Sequence, residues 1–166
     1  MTKSQIESFY DCTGCDDKGR TFWEVISQSD KWFERCHDHV QWLYPLLTKS
    51  AYNPNAPLLT DEIINSLKAN PVIQDNIIMA FYRIMNFYGL YRKDQDTIDI
   101  FEPWFQNQTW ISPGNHNFLR ITRVITSLRL LGFPKHAEMF RKCVLKIADS
   151  HIEIIGETTK KFWTNA

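Results

Sequence analysis

A strip of basic and polar side chains in the second half of the sequence has the composition of an anion-binding surface. His116, Arg120 and Arg123 recur at helical spacing, so steps of about 100° per residue place them on one face of a helix. Guanidinium groups bind carboxylates and phosphates bidentately, and Asn115 and His116 add backbone amides near the helix start. The strip predicts a site for a carboxylate, a phosphate or an acidic peptide terminus. The alternative is structural, with Arg120 and His116 bonded to buried carbonyls or to an acid such as Asp38.

A second polar strip lies on an earlier helix, where His37, Gln41 and Tyr44 share one face. Two such strips, lined by Trp42 and Trp110, predict a groove that binds a short peptide or a small anion. The alternative is that both Trp side chains are core residues, as large aromatic residues often are. The candidate ligand-binding residues are His37, Gln41, Trp42, Trp110, Asn115, His116, Arg120 and Arg123.

The cysteines offer a weaker signal. Cys12 and Cys15 have the C-x-x-C spacing of zinc and redox sites, and further ligands are available at Cys36, His37 and His39. A tetrahedral site needs four ligands, and a second C-x-x-C is missing. We therefore predict chance thiols, with no metal and no cofactor.

Signals for catalysis are also weak. The acidic run Asp94, Asp96 and Asp99 is typical of a solvated loop, and no G-x-S-x-G, H-E-x-x-H or Gly-rich phosphate motif occurs. A non-enzymatic binding or interaction domain is therefore predicted. The alternative is an uncharacterised enzyme acting on a phosphate- or carboxylate-bearing substrate through His116, Arg120 and His37.

The totals exclude some classes of partner. Nineteen basic and nineteen acidic side chains among 166 residues give a formal net charge of zero, which argues against nucleic acid as a partner. No window has the roughly 18 apolar residues of a membrane span, and the first ten residues lack the apolar stretch of a signal peptide. These features predict a cytoplasmic protein with reduced cysteines.

The elements that position these residues are helices. Caps, prolines and apolar periodicity predict helices at 21–27, 30–44, 60–67, 71–88, 113–131, 134–149 and 158–163. Residues 50–59 are a proline-rich loop, and 91–114 read as a long connection with one short helix, pinned by Phe101, Trp104, Phe105 and Trp110. The predicted fold class is all-α: a single domain over residues 1–166, an orthogonal bundle of about six to eight helices with long aromatic-pinned loops.

Three segments together resemble one known family. Residues 37–45 read H-D-H-V-Q-W-L-Y-P and are similar to H-D-Y-I-Q-W-L-F-P in that family. Residues 56–60 read A-P-L-L-T, and Phe87-Tyr88-Gly89 matches a family helix end. Residues 115–123 read N-H-N-F-L-R-I-T-R and are similar to S-H-N-N-L-R-I-T-R. The family is the conserved domain of opioid growth factor receptors.

The resemblance runs in collinear order over about residues 16–147, including Leu131-Gly132-Phe133 and Asp17-Lys18-Gly19-Arg20. Departures within the motifs are His39, Val40, Tyr44, Asn115 and Phe118. The resemblance implies an α-helical domain that in animals belongs to an intracellular opioid-peptide receptor, and it implies no catalytic residues. It therefore adds a receptor-like role, with a short peptide or a protein as the expected partner.

Overall fold

The computed structural model describes residues 3–166, and 59% of these described residues are helical. The predicted helical fold is confirmed. This described part contains eleven helices, whereas about six to eight were predicted. The additional helices are short, and two of them, Glu102–Phe105 and Ile152–Ile155, have four residues each. The helices are α1 Gln5–Tyr10, α2 Phe22–Ile26, α3 Asp30–Arg35, α4 His39–Leu43, α5 Asp61–Ala69, α6 Pro71–Phe87, α7 Glu102–Phe105, α8 Asn117–Leu130, α9 Pro134–Ser150, α10 Ile152–Ile155 and α11 Glu157–Asn165. Two strands, β1 Leu90–Arg92 and β2 Ile98–Ile100, lie between α6 and α7.

The described residues form two compact units. The first unit extends to Ile84, and the second comprises Met85–Ala166. Within residues 3–166, no helix has both the length and the apolar character needed to cross a membrane. That the whole chain is one domain stays a prediction.

Capping residues set the helix starts in the first unit. Thr21 and Thr60 accept the backbone N–H groups of Glu24 and Ile63, as predicted from their positions before apolar periodic segments. Thr21 and Glu24 form a reciprocal capping box. The unit therefore begins these helices where the sequence predicted.

An aromatic cluster forms the core of the first unit. The Phe9 ring contacts Phe22 at 5.8 Å and Trp42 at 5.4 Å between centroids, both in edge-on geometry. Two tyrosine hydroxyl groups donate to backbone carbonyls, from Tyr10 to Leu43 and from Tyr44 to Ala80. Buried hydroxyl groups need such partners, so these bonds fix α4 against its neighbours.

The predicted helix over residues 30–44 is interrupted. Cys36 adopts an extended conformation, with φ −88° and ψ 120°, so α3 ends at Arg35 and α4 starts at His39. Arg20 stabilises this break, because its guanidinium donates to Asp38 at 2.9 Å and to the Cys36 sulfur at 3.3 Å. Apolar spacing alone missed the break, since the apolar side chains on both sides remain buried.

In the second unit, α8 and α9 pack against each other, and α11 packs on both. Trp163 of α11 is fully buried and donates its indole N–H to the Phe118 carbonyl at 3.0 Å. Gly132 ends the α8 region with φ +96°, a conformation that glycine adopts without steric cost. The sequence predicted that Phe162 and Trp163 dock the C-terminal helix. Trp163 does so, whereas Phe162 is exposed.

Residues 91–114 are more ordered than predicted. β1 and β2 form an antiparallel hairpin in which Tyr91 is paired with Asp99, and α7 follows directly. Each strand has only three residues, too few for an alternating pattern to be recognised. The one short helix predicted in this connection is present as α7, whereas the hairpin was not predicted.

Helix α8 begins four residues later than predicted. Gly114 has φ +67°, so the Pro113 segment is a turn, and the first residue of α8 is Asn117. The Asn115 side chain accepts the Asn117 N–H at 2.9 Å and donates to Ser112 at 2.9 Å. The turn also satisfies the Asn115 backbone N–H, which donates to the Ser112 carbonyl at 3.2 Å, so this amide, which the sequence analysis offered to an anion, already has a partner.

Candidate functional site

The predicted site residues fall in both units, so each group is described in its own unit. His37, Gln41 and Trp42 belong to the first unit, and Trp110, Asn115, His116, Arg120 and Arg123 to the second.

Trp42 and Trp110 lie in cores rather than on a groove. Their exposed fractions are 0% and 1%. The Trp42 indole donates to Asp17 at 3.0 Å, and the Trp110 indole donates to the Tyr88 carbonyl at 3.2 Å. The expectation that these two rings line an open groove is therefore corrected, because neither has surface to offer a ligand in this structure.

The basic strip on α8 is anchored to a buried amide. Asn117 is fully buried, and its side-chain oxygen accepts from Arg120 at 3.2 Å and from the Tyr88 hydroxyl at 3.4 Å. His116 lies 3.4 Å from the Asn117 amide nitrogen. Arg120 is buried, and burial lowers the pKa of the half-buried Arg123. These contacts favour the structural alternative for Arg120, while ligand binding by the strip stays a prediction.

His37 and Gln41 line a small pocket in the first unit, at the break between α3 and α4. The pocket has a volume of about 270 Å³, and its walls are formed by Cys36, His37, Asp38, Gln41, Tyr52 and Asn53. The third member of the predicted strip, Tyr44, is buried instead and bonds to the Ala80 carbonyl. Hereafter we call this cavity the break pocket.

Asp38 carries the formal charge in the wall of the break pocket. Burial acts to raise the pKa of Asp38, but hydrogen bonds from Cys36 and Arg20 and the charge of Arg20 hold it below its usual value. Burial and the neighbouring Asp38 raise the pKa of the Cys36 thiol. Near pH 7 the pocket therefore presents a carboxylate and a protonated thiol, which is a poor nucleophile.

Cys12 of the C-x-x-C pair is not an activated thiol. Cys12 is an exposed residue with a backbone φ of +64°. Its sulfur accepts a hydrogen bond from the Asn76 side-chain amide at 3.5 Å, and the partial desolvation of the thiol raises its pKa. Among the residues that the structure describes, no group of three or more His, Cys, Asp or Glu side chains could hold a metal ion.

The acidic run at residues 94–99 is solvated, as predicted for a loop of this composition. Asp96 forms an ion pair with Lys135, and Asp99 forms one with Lys93.

An aromatic groove, which sequence reasoning did not locate, lies on the second unit. Its volume is about 520 Å³, and it is lined by Asn86, Gly89, Leu90, Tyr91, Phe101 and Trp104. Phe101 and Trp104 are each 48% exposed and Tyr91 is 38% exposed. We call this surface the aromatic groove.

Backbone hydrogen bonds fix the aromatic groove. Phe101 donates its N–H to the Gly89 carbonyl at 2.9 Å, which extends the hairpin, and Trp104 donates to the Phe101 carbonyl at 3.0 Å. The Tyr91 and Phe101 rings meet edge-on at 6.1 Å. Three exposed aromatic rings are thus held on one short hairpin and one helical turn.

Trp110 packs against α7, the helix that carries Trp104 of the aromatic groove. Its ring contacts Phe105 at 6.2 Å in edge-on geometry, and Phe105 is the last residue of α7. The sequence had identified Phe101, Trp104, Phe105 and Trp110 as aromatics that pin this segment. Composition alone does not predict which of these rings are buried, because their orientation depends on the β1–β2 hairpin, which the sequence analysis did not predict.

Residues 18–165 match the opioid growth factor receptor (OGFr) conserved region. The chain belongs to the opioid growth factor receptor family. The resemblance predicted over residues 16–147 is thereby confirmed, and the match reaches further, into α11. Both the aromatic groove and the break pocket lie within the matched conserved region.

The chain is similar to receptors and a receptor-like protein of this family. It is 31% identical over 138 residues to the opioid growth factor receptor of Rattus norvegicus, which covers 78% of this chain and 23% of the relative. The opioid growth factor receptor of Homo sapiens is 35% identical over 101 residues, which cover 58% of this chain and 14% of the relative. Opioid growth factor receptor-like protein 1 of Xenopus tropicalis is 30% identical over 115 residues, which cover 69% of this chain and 22% of the relative. The chain spans less than a quarter of the length of these relatives, and no solved structure matches it.

Proposed function

We propose that this chain is a binding module that holds a short peptide by inserting one of the peptide's aromatic side chains into the aromatic groove. The observation that carries the proposal is the cluster of Tyr91, Phe101 and Trp104, exposed together around a cavity of about 520 Å³. Ligand pockets commonly measure about 300–1,000 Å³ and are lined by apolar and aromatic side chains. The aromatic groove has that size and that lining.

Exposing three large rings side by side carries a free-energy cost. Burial of apolar surface is worth about 25 cal/mol per Å², and contiguous exposed apolar patches mark interaction sites. Aromatic side chains also dominate the energetics of binding surfaces. A partner that covers Phe101 and Trp104 therefore gains free energy that the isolated chain forgoes.

The lining chemistry supports a peptide in preference to an anion. None of the described residues that line the aromatic groove is charged, so a phosphate or carboxylate finds no counter-charge there. Asn86 is exposed at the wall, and its amide can both donate to and accept from a peptide backbone. The relatives from Rattus norvegicus and Homo sapiens are named receptors, which supports a ligand-binding role for this conserved region.

The test is a fluorescence titration of the parent with a synthetic opioid pentapeptide and with a scrambled peptide of the same composition. We expect saturable change in Trp emission and, in Trp104→Leu, a loss of affinity of at least about tenfold, as for an aromatic hot spot. Trp23→Leu is the matched control, because Trp23 is 47% exposed but lies in the first unit.

Unchanged affinity in Trp104→Leu would contradict the groove as the binding surface. Equal loss in Trp104→Leu and Trp23→Leu would also contradict it, since the two rings lie in different units. Tighter binding of the pentapeptide than of its scrambled form adds sequence specificity to the proposal. Equal binding of both assigns recognition to the aromatic side chain alone.

A further inference from the structure

The aromatic groove brings three aromatic rings to one cavity. Tyr91 and Phe101 meet with their ring planes at 72° and their centroids 6.1 Å apart, and Trp104 lines the same cavity. Each of these three residues is between 38% and 48% exposed, so ring surface is open to a ligand. Walls built from several aromatic rings are the arrangement with which proteins bind quaternary ammonium groups.

We propose that the aromatic groove also binds the trimethylated side chain of a lysine in a peptide. This binding rests on the proposed function, because both need the aromatic groove to be an open peptide-binding surface. The face of an aromatic ring carries partial negative charge, so a cation within about 6 Å of the ring centroid is attracted. Since the Tyr91 and Phe101 centroids are 6.1 Å apart, one trimethylammonium group can lie within that range of both.

The lining of the groove favours a methylated ammonium group over an ordinary one. None of the described residues in its wall is charged, and the side-chain amide of Asn86 is a neutral hydrogen-bonding group. The ammonium group of an unmodified lysine has three N–H donors and is strongly hydrated, so entry into this wall costs it hydrogen bonds to water. A trimethylammonium group has no N–H donor and presents methyl groups to the rings. It therefore keeps its charge and loses fewer hydrogen bonds.

The charged residues beside the groove do not oppose a cation. Lys93 is bound to Asp99 at 3.0 Å, so these two charges offset each other. Arg92 follows Tyr91 in β1, and the alternation of side chains along a strand directs it to the opposite face. Glu102, the first residue of α7, is exposed and adds a negative charge. These surroundings admit a cation, whereas the wall offers an anion no counter-charge.

The test compares three peptides that differ only at the end of one side chain. Each is an N-acetylated, C-amidated tripeptide whose central residue is trimethyl-lysine, its uncharged analogue with carbon in place of nitrogen, or unmodified lysine. Gly89 lines the groove, so its backbone amide signal in NMR titrations of the ¹⁵N-labelled protein reports each Kd. We expect the trimethyl-lysine peptide to bind at least about fivefold more tightly than either of the other two.

Replacement of one ring tests whether the preference for charge comes from the groove. Phe101→Leu keeps an apolar side chain but removes an aromatic face. The ratio of the affinities for the trimethyl-lysine peptide and its uncharged analogue should therefore fall at least about twofold. Phe162→Leu is the matched control, because Phe162 is 57% exposed in the same unit but does not line the groove, and it should keep the parent ratio. Both affinities are measured on the same variant, so a general loss of stability does not change their ratio.

Equal affinities for the trimethyl-lysine peptide and its uncharged analogue would overturn the proposal, as would a ratio that Phe101→Leu leaves unchanged. Equal affinities for the trimethyl-lysine and lysine peptides would overturn it in favour of simple charge attraction. Choline that binds as tightly as the trimethyl-lysine peptide would assign the groove to a small quaternary amine instead. If none of the three peptides shifts the Gly89 amide but the opioid pentapeptide does, trimethyl-lysine binding is refuted and the proposed function stands. If the pentapeptide also leaves Gly89 unmoved, both are refuted.

Discussion

Arg20 shows how one side chain organises the first unit. Its guanidinium donates to Asp16 at 2.6 Å, to Asp38 at 2.9 Å and to the Cys36 sulfur, and it lies 5.3 Å from the centre of the Trp32 ring. The Asp16 side chain is fully buried and also accepts the Arg20 backbone N–H. Arg20 thereby joins a turn to the break between α3 and α4, which a sequence motif alone could not reveal.

Replacing Arg20 should destabilise the fold. Arg20→Met leaves the Asp16 carboxylate buried without its cation. Breaking a fully buried pair costs about 3–5 kcal/mol, and because Arg20 is partly exposed we expect a loss near the lower end, about 3 kcal/mol. Lys135→Met is the control, because both partners of the Lys135–Asp96 pair are exposed, and it should change stability by less than about 0.5 kcal/mol. Urea unfolding followed by circular dichroism measures both, and equal effects would show that Arg20 has no structural role.

Asp38 predicts how stability changes with pH. Burial opposes ionisation, but Cys36 and Arg20 hold the folded-state pKa of Asp38 below the unfolded value of about 3.9. The ionised side chain therefore stabilises the fold fully above about pH 4, and this contribution is lost as the pH falls through the folded-state pKa. The stability gap between the parent and Asp38→Asn should be constant from pH 5 to 7 and shrink below about pH 4. A gap that widens on acidification would reverse the sign of this argument.

For the helices, local sequence signals predicted where a helix begins or ends better than they predicted whether it runs without interruption. Thr21 and Thr60 cap helices as expected, and Gly89 follows α6 with φ +74°. The interruption at Cys36 and the turn before Asn117 were missed, because side chains from elsewhere in the fold or a local Asn bond decide them. Apolar periodicity reports which face is buried and is insensitive to such breaks.

Gly89 connects an element boundary to the aromatic groove. A Cβ atom there would lie 3.0 Å from the Phe105 Cα, and the left-handed conformation adds about 1–2 kcal/mol for any L side chain. Gly89→Ala should therefore lower the free energy of unfolding by about 2–4 kcal/mol, since α7 must also move.

Gly114→Ala is the matched control for Gly89→Ala. Gly114 has φ +67°, but nothing lies within 4 Å of an added Cβ, so only the conformational cost of about 1–2 kcal/mol is expected. Equal losses in the two variants would show that the close approach of Phe105 carries no energy. Chemical denaturation of both proteins is sufficient to compare them.

At the scale of the whole molecule, the family and the helical class could be predicted from sequence, but the location of the binding surface could not. Aromatic content predicted an aromatic groove, and the sequence assigned it to Trp42 and Trp110. Both indoles are buried, whereas Trp104 is 48% exposed. Which ring a fold buries depends on tertiary packing, and residue type alone does not encode it.

The central claim is that a short peptide binds at Trp104 on the aromatic groove. The most direct test is an NMR titration of the ¹⁵N-labelled protein with the pentapeptide, following the indole N–H signals of its six Trp residues. We predict that the Trp104 signal, assigned through Trp104→Leu, shifts most, together with the Gly89 amide, while buried Trp42 and Trp163 keep their positions. Saturable binding that leaves Trp104 unmoved, or that shifts Trp42 most, would contradict the account.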